Sequence, residues 1–453
     1  MRSTNPTTGK IIKEYQEHSP DKVIEIIEKV NQEWLSWKET TFEYRATLMK
    51  NAARLLREKK DHYAQLMTIE MGKIIRESLA EIEKCALACD YYADHAEDLL
   101  KDEIIPSDAS RSLVVFQPIG VVLAVMPWNF PYWQVFRFAV PALMAGNAAV
   151  LKHASNVPGC ALAIEAIFRE AGFPENIFRT LMIPSSMVKP AIEHPAIAAV
   201  TLTGSESAGS EVASVAGKMI KKTVLELGGS DAFIILEDAD MEKAVRTAVT
   251  ARMINQGQSC IAAKRFIVVE SRIKEFEEKI KEAMQNLKTG NPLEPETQVG
   301  PMARKDLVDD IDRQVQQSIS MGARLVLGGR RPDLPGFYYL PTILSNVRKG
   351  MPVYDQETFG PVIAIIGVKN EPGAINIAND SQFGLGGSVW TQDLKRGEAV
   401  ARKINTGAMF VNGLTKSDPR LPFGGIKKSG YGRELSGYGI KEFVNIKTIW
   451  IGC

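Results

Sequence analysis

Histidine and cysteine are both scarce in this 453-residue chain, at five residues each. The histidines are scattered singly. The cysteines, at 85, 89, 160, 260 and 453, are odd in number and nowhere form a CxxC pair. That spacing argues against a zinc site and against a disulfide framework, and it fits a reducing, cytoplasmic location. Charge of one sign is also lacking. The 55 basic and 54 acidic residues leave a formal net charge of +1, which gives no electrostatic case for nucleic acid or an anionic membrane. Long apolar runs are missing too. The stretches 119–126 and 138–151 are broken by Pro, Gly or Asn and fall short of the roughly 20 residues of a membrane span. The opening MRSTNPTTGK has no apolar h-region, so no secretory signal is expected. No repeat, low-complexity segment or long flexible linker interrupts the chain.

What is present is alternation. Residues 20–103 carry apolar side chains at helical spacing. From 147 onward, apolar strands (147–151, 177–183, 197–203, 222–226) alternate with helices (132–145, 158–171, 186–193, 205–217). A second block repeats the rhythm, with strands at 232–236, 264–270, 324–328, 361–367, 385–390 and 408–411. Its helices fall at 240–256, 272–287, 303–321 and 393–403. Such βαβ order predicts two parallel sheets covered by helices, hence an α/β fold with a ligand cleft at the carboxyl ends of strands. The β-rich stretch 111–126 and the apolar tail FVNIKTIWI are expected to pair in a small third sheet. An exposed edge there is a natural subunit contact.

Several residues stand where chemistry is done. Cys260, in NQGQSCIAAKRF, lies in a turn between a helix and a strand. Cys85 and Cys89 share a helix and read as packing residues, Cys160 opens a helix after Pro158, and Cys453 is terminal. A free cysteine is ordinarily a small buried hydrophobe, so Cys260 draws its weight from its context. Glu226, in TVLELGGSDAF, ends an apolar strand ahead of two glycines. It is placed either to cap a turn or to act as a base beside a closely approaching ligand. Asn129, in VMPWNFP, sits between two prolines. A rigid amide suits an oxyanion hole, although an Asx turn is the plainer reading. Lys152 ends the strand AAVLK, where a cation meets ribose or phosphate oxygens, but most lysines are simply solvated. TGSESAG at 203–209 opens a helix and is neither GxGxxG nor a Walker loop, so alone it is a weak pyrophosphate signal. Glu357, in ETFGP, precedes a strand and is anonymous by itself.

Together, PWNFP at 127–131, Lys152, TGS at 203–205, ELGG at 226–229, GQSC at 257–260, ETFGP at 357–361 and PFGGIKKSGYGRE at 422–434 resemble the aldehyde dehydrogenase superfamily. Order and spacing agree along almost the whole chain. ELGGSDAF and KKSGYGRELS are similar to short-form succinate-semialdehyde dehydrogenases.

The resemblance implies a Rossmann-like cofactor domain (1–110 and 128–226), a catalytic α/β domain (227–429) and a small β oligomerisation flap (111–127 and 430–453). Cys260 would be the nucleophile, Asn129 the oxyanion amide and Glu226 the base that activates water on the thioester. Trp128, Gly204, Ser205, Leu227, Glu357 and Phe359 would line the nicotinamide cofactor, with Lys152 at its adenosine end. Three residues beyond Lys152, many NAD-preferring members carry Glu; here Ser155 stands instead. A hydroxyl can donate to a 2′-phosphate that a carboxylate would repel, so NADP is expected to be favoured and NAD accepted. Arg137, eight residues after Asn129, would bind a substrate carboxylate with a hydroxyl from Ser417; the plainer reading is a loop or domain contact. The expected substrate is therefore succinate semialdehyde, in a homodimer or homotetramer. The competing readings are a broader dehydrogenase that takes aldehydes such as glutarate semialdehyde, a non-catalytic structural oligomer, and a cysteine hydrolase. The last is poorly served, because the nearest histidines in sequence are His194 and His153.

Overall fold

A computed structural model describes residues 1–452; Cys453 lies outside the described residues. Its architecture is the expected α/β one. Four helices, Pro20–Trp37, Phe42–Glu58, Lys60–Met71 and Ile75–Leu99, precede the first large sheet. That sheet has six strands. The five parallel ones run in spatial order Lys222–Glu226, Ile197–Thr203, Val121–Met126, Ala148–His153 and Phe178–Thr180. In chain order this is the 3-2-1-4-5 arrangement of a doubly wound sheet. The strand order reverses between Val121–Met126 and Ile197–Thr203. Loops leaving their carboxyl ends therefore diverge and open a crevice, and those loops carry Trp128–Asn129 and Gly204–Ser205. Gly430–Tyr431 adds an antiparallel edge to Lys222–Glu226.

The second sheet has seven strands, in order 324–327, 342–345, 362–368, 263–269, 231–235, 387–390 and 410–411, parallel except for the first. It is covered on both faces, and alternate residues of one strand show this. Ala232 and Ile234 pack into one core and Phe233 and Ile235 into the other, the period-2 consequence of a pleated strand. The two sheets meet head to tail. Glu226 ends a strand of the first, and five residues later Asp231 begins one of the second.

The third sheet is smaller than expected. Val444–Ile451 pairs antiparallel with Arg111–Pro118 along its whole length, and Glu103–Ile104 forms the other edge. Residues 119–127 do not belong to it: Val121–Met126 is the centre of the six-stranded sheet. The reason lies in the side chains. Arg111–Pro118 mixes exposed and buried residues, whereas VVLAVM is apolar without a break, as a strand buried on both faces must be. Residues 430–443 also lie outside it, divided between the sheet edge at 430–431 and the short helix Ser436–Ile440. A hairpin of Arg2–Asn5 with Lys10–Glu14 and the strand Thr342–Ser345 add to the expected elements. The expected helix 240–256 stops at Met253, because the chain then turns left-handed.

Candidate active site

That left-handed turn presents Cys260. Asn255, Gln256 and Gly257 take φ of 50°, 54° and 75° in succession, a costly run for two residues with side chains. Tertiary contacts hold it. The Glu77 carboxylate accepts from the Asn255 N–H at 2.7 Å, and Asn255 Nδ2 donates to the Asn129 carbonyl at 2.7 Å. Gly257 is required, since a β-carbon there would lie 2.1 Å from the Gly360 carbonyl oxygen. Arg252, fully buried, donates to the carbonyls of Gly257 (2.8 Å), Ala263 (2.9 Å), Thr358 (3.0 Å) and Gly360. Lys264, also fully buried, donates to the carbonyls of Ser259 (2.8 Å) and Cys260 (2.7 Å). Replacing Arg252 by Met would strip four buried carbonyls of their donor. We expect a loss of about 3–5 kcal/mol in denaturant titration together with lost activity; unchanged stability would mean that the loop does not depend on this guanidinium.

The Cys260 thiol is part-exposed in a cleft of about 340 Å³ lined also by Trp128, Asn129, Gln134, Gly204, Ser205, Leu227, Glu357 and Phe359. Eight of the thirteen residues singled out in the sequence thus line one cavity, at the switch point of the first sheet. In the second sheet the site lies at the amino ends of the strands, contrary to the expectation from strand order: Cys260 precedes 263–269 and Glu357 precedes 362–368. Backbones approach closely here. A β-carbon at Gly229 would sit 2.6 Å from the Cys260 carbonyl oxygen, and the Gly229 N–H is free to donate to Glu357 Oε1 at 3.0 Å. Phe359 stands edge-on to Trp128, with centroids 5.8 Å apart.

Electrostatics set the resting proton state. Burial pushes the Cys260 thiol up to about 12, with Arg137 and Lys264 opposing, so the resting thiol carries its proton. Glu226 is buried and neither carboxyl oxygen has a hydrogen-bond partner among the described residues. Burial and the nearby Glu434 carboxylate raise it well above the usual range. Asn129 Nδ2 donates to the Gln258 carbonyl at 3.1 Å, which fixes the amide and leaves its second hydrogen for another acceptor.

A model of the aldehyde dehydrogenase family matches residues 1–449. The chain belongs to the aldehyde dehydrogenase family. A relative from Synechocystis sp. named "Probable succinate-semialdehyde dehydrogenase (NADP(+))" is 52% identical over 451 residues, covering 100% of this chain and 99% of the relative. A Mycobacterium avium protein named succinate-semialdehyde dehydrogenase (NADP(+)) is 48% identical, covering 100% and 97%. The crystal structure of succinic semialdehyde dehydrogenase from Streptococcus pyogenes in complex with NADP+ superposes with a TM-score of 0.98 at 39% identity, over 100% of both chains.

The remaining residues of this aldehyde dehydrogenase fall outside the Cys260 cavity. Lys152 is buried at the end of its strand, with no carboxylate within 4.0 Å among the described residues, and burial lowers it. Ser155 is exposed in the turn that follows. Arg137 is buried and ion-paired to Glu434; it also reaches Thr203 Oγ1 at 3.4 Å and lies 4.5 Å from the Phe423 ring centroid. Ser417 is buried against Lys84 and Trp133. Glu434, Arg252, Lys264 and Glu77 were not singled out in the sequence. Glu434 closes the quoted PFGGIKKSGYGRE segment and Lys264 follows Cys260 by four residues, but nothing local distinguishes either from a surface charge.

Proposed function

We propose that this protein oxidises succinate semialdehyde to succinate with NADP as hydride acceptor, NAD being accepted less well. The observation that carries the reading is the cleft in which a protonated but reachable thiol and a fixed amide meet, with the buried Glu226 carboxyl at the strand end next to the cleft-lining Leu227 and close enough to act electrostatically on the thiol. The cofactor fits these residues. Lys152 offers an unpaired buried cation, Glu206–Lys218 begins at the cleft with Ser205 as its cap, and Trp128, Leu227 and Phe359 give apolar walls. The bound nicotinamide would supply a hydride acceptor.

The protein's own groups do the rest. The Cys260 sulfur bonds to the aldehyde carbon and its proton passes to a base, for which Glu226 is the buried candidate. The resulting oxyanion takes the free hydrogen of Asn129 Nδ2 and the Cys260 N–H, for which no acceptor appears among the described residues. Making the carbon tetrahedral is what allows hydride to leave it. Glu226 must first pass the thiol proton to solvent; as the carboxylate it takes a proton from water as the water oxygen adds to the thioester carbonyl, and the C–S bond breaks to release the acid and the Cys260 thiolate, which regains a proton. Arg137 and Ser417 are proposed at the distal, carboxylate end of the substrate. The unit built on the six-stranded sheet would bind cofactor, that on the seven-stranded sheet would bear the thiol, and the small β sheet, with Ile104, Ile446 and Trp450 exposed, would join copies as a dimer or tetramer. Four unpaired cysteines suit a cytoplasmic setting, and no helix among the described residues is long and apolar enough to cross a membrane.

Cofactor reduction with succinate semialdehyde, glutarate semialdehyde and butanal tests the substrate. The highest kcat/KM should fall on succinate semialdehyde; equal values for all three would leave the broader dehydrogenase. For the cofactor, NADP should exceed NAD in kcat/KM by roughly 10–100-fold, the worth of a charge-assisted hydrogen bond or two. Ser155→Glu should reverse the order, and an unchanged ratio would exclude Ser155 as its source.

A further inference from the structure

Burying an ammonium costs several kcal/mol unless partners meet it, and the strand Ala263–Val269 buries one at its second position. Lys264 is fully enclosed where an apolar side chain would fill the space without that cost. Its Nζ has three partners. Two are the carbonyls of Ser259 and Cys260, at 2.8 and 2.7 Å. The third is the carboxylate of Glu357, whose Oε1 lies 3.5 Å away. One cation therefore touches both the loop that bears the thiol and a carboxylate that lines the same cleft.

The carboxylate has little freedom of its own. Its Oε1 accepts from the Gly229 N–H at 3.0 Å, and a β-carbon at Gly228 would lie 2.5 Å from its Oε2. The Cys260 carbonyl is pressed against Gly229 in the same way. Cys260, Glu357 and the Gly228–Gly229 backbone form one packed cluster, and Lys264 is the cation inside it. Burial disfavours that cation, Glu357 and Asp231 favour it, and Arg252 opposes it. The ammonium acts on two neighbours at once. Burial raises Glu357, and Lys264 is the largest force holding it down. Burial also raises the Cys260 thiol; Lys264, after Arg137, pulls it towards thiolate, while Glu357 pushes the other way. Without the ammonium, both groups would hold their protons more firmly.

We propose that Lys264 is a positioning residue that ties the nucleophile to the cofactor grip, one ammonium fixing the Cys260 carbonyl and holding the Glu357 carboxylate charged and in place for the nicotinamide ribose. This rests on the dehydrogenase reading above. Lys264 itself touches neither aldehyde nor cofactor; it acts through Cys260 and Glu357. A purely structural role would need only hydrogen bonds to two loop carbonyls, which a neutral amide can supply in part. The proposed role needs the charge. Lys264→Gln separates the two, since it keeps an N–H donor and removes the cation.

Two measurements without aldehyde test it. The first is the rate of Cys260 alkylation by iodoacetamide at about pH 8, without cofactor, read at the Cys260 peptide by mass. With the thiol near 12, that rate follows the thiolate fraction, tenfold for each unit of pKa. Lys264→Gln should slow it roughly tenfold, and Glu357→Gln should speed it roughly 3–10-fold by leaving Lys264 unopposed. The second is calorimetric titration with NADP at about pH 7, where Lys264→Gln should weaken binding roughly 3–10-fold, because a protonated Glu357 is a poorer acceptor for ribose hydroxyls. A folded Lys264→Gln that keeps either the wild-type alkylation rate or the wild-type NADP affinity overturns the proposal, since Lys264 would then serve one group or neither. Should Lys264→Gln fail to fold, the part-exposed Glu357→Gln decides: a thiol no faster than the wild type's overturns the proposal. A wild type that does not bind NADP overturns the cofactor reading and this proposal with it.

Discussion

Cys260→Ala should lower NADP reduction by at least about a thousand-fold, while the protein folds, melts and binds cofactor much as the wild type does. The large loss follows from the chemistry: without a nucleophile the aldehyde carbon stays trigonal, and hydride has no reason to leave it. The small structural cost follows from the geometry. The thiol faces an open cleft, and the loop is held by Arg252, Lys264 and Glu77 through backbone groups that the substitution does not touch. Assays of aldehyde oxidation, thermal melting and cofactor titration together check this. Activity within tenfold of wild type would remove Cys260 from the reaction. Ester cleavage without cofactor reduction in the wild type would favour the hydrolase. The structure offers that reading little, since no histidine lines the cleft and His153 has both ring nitrogens against backbone atoms, at the Met126 and Pro131 carbonyls. Burial holds that imidazole down at about 4, which leaves no proton acceptor of the kind a Cys–His pair needs.

Cys260 also shows where sequence reading succeeds and where it stops. Residues at the ends of strands were legible, because apolar runs end visibly; Asn129, Gly204 and Glu226 are of this kind, whereas the switch point that groups Asn129 with Gly204 comes from the strand order of the fold. The boundary of the small sheet was not. Residues 111–126 look like one β unit, yet the turn at Ile119–Gly120 passes the chain from the small sheet to the centre of the large one. The distinguishing cue, a strand of mixed polar and apolar residues followed by an uninterrupted apolar one, was present but subtle. The left-handed turn at Asn255–Gln256 was illegible in principle. Neither residue requires it; Glu77, far away in sequence, helps to impose it. The ion pair of Arg137 is hidden for the same reason. Its partner Glu434 lies 297 residues further along the chain, and only folding brings the two together. Long-range charge pairing is the one layer that spacing and periodicity do not encode.

Glu226 is the residue in which these long-range charges act on the chemistry. Glu226→Gln should leave the first half of the reaction and stop the second: mixing enzyme, aldehyde and NADP should give a burst of about one reduced cofactor per site, followed by turnover slowed roughly 100–10,000-fold, the range of a lost general base. Rapid-mixing absorbance measures both phases, and a steady rate close to wild type would exclude Glu226 as the hydrolytic base. The burst itself separates two roles. If Glu226 also accepts the thiol proton, the burst will be slow as well as stoichiometric; if it serves only water, the burst will keep the wild-type rate. The pH profile supplies a second check. Burial and Glu434 hold the Glu226 carboxyl above the ordinary range, so it keeps its proton where an exposed glutamate has lost it. Wild-type turnover should therefore fall on acidification from a higher pH than an ordinary glutamate would give, because the protonated carboxyl cannot take a proton from water. The Gln variant should lack that limb. The Cys260 thiol, near 12, does not titrate in the same window, so an acid limb that vanishes with Glu226 belongs to this carboxyl, and one that survives in Glu226→Gln belongs to another group.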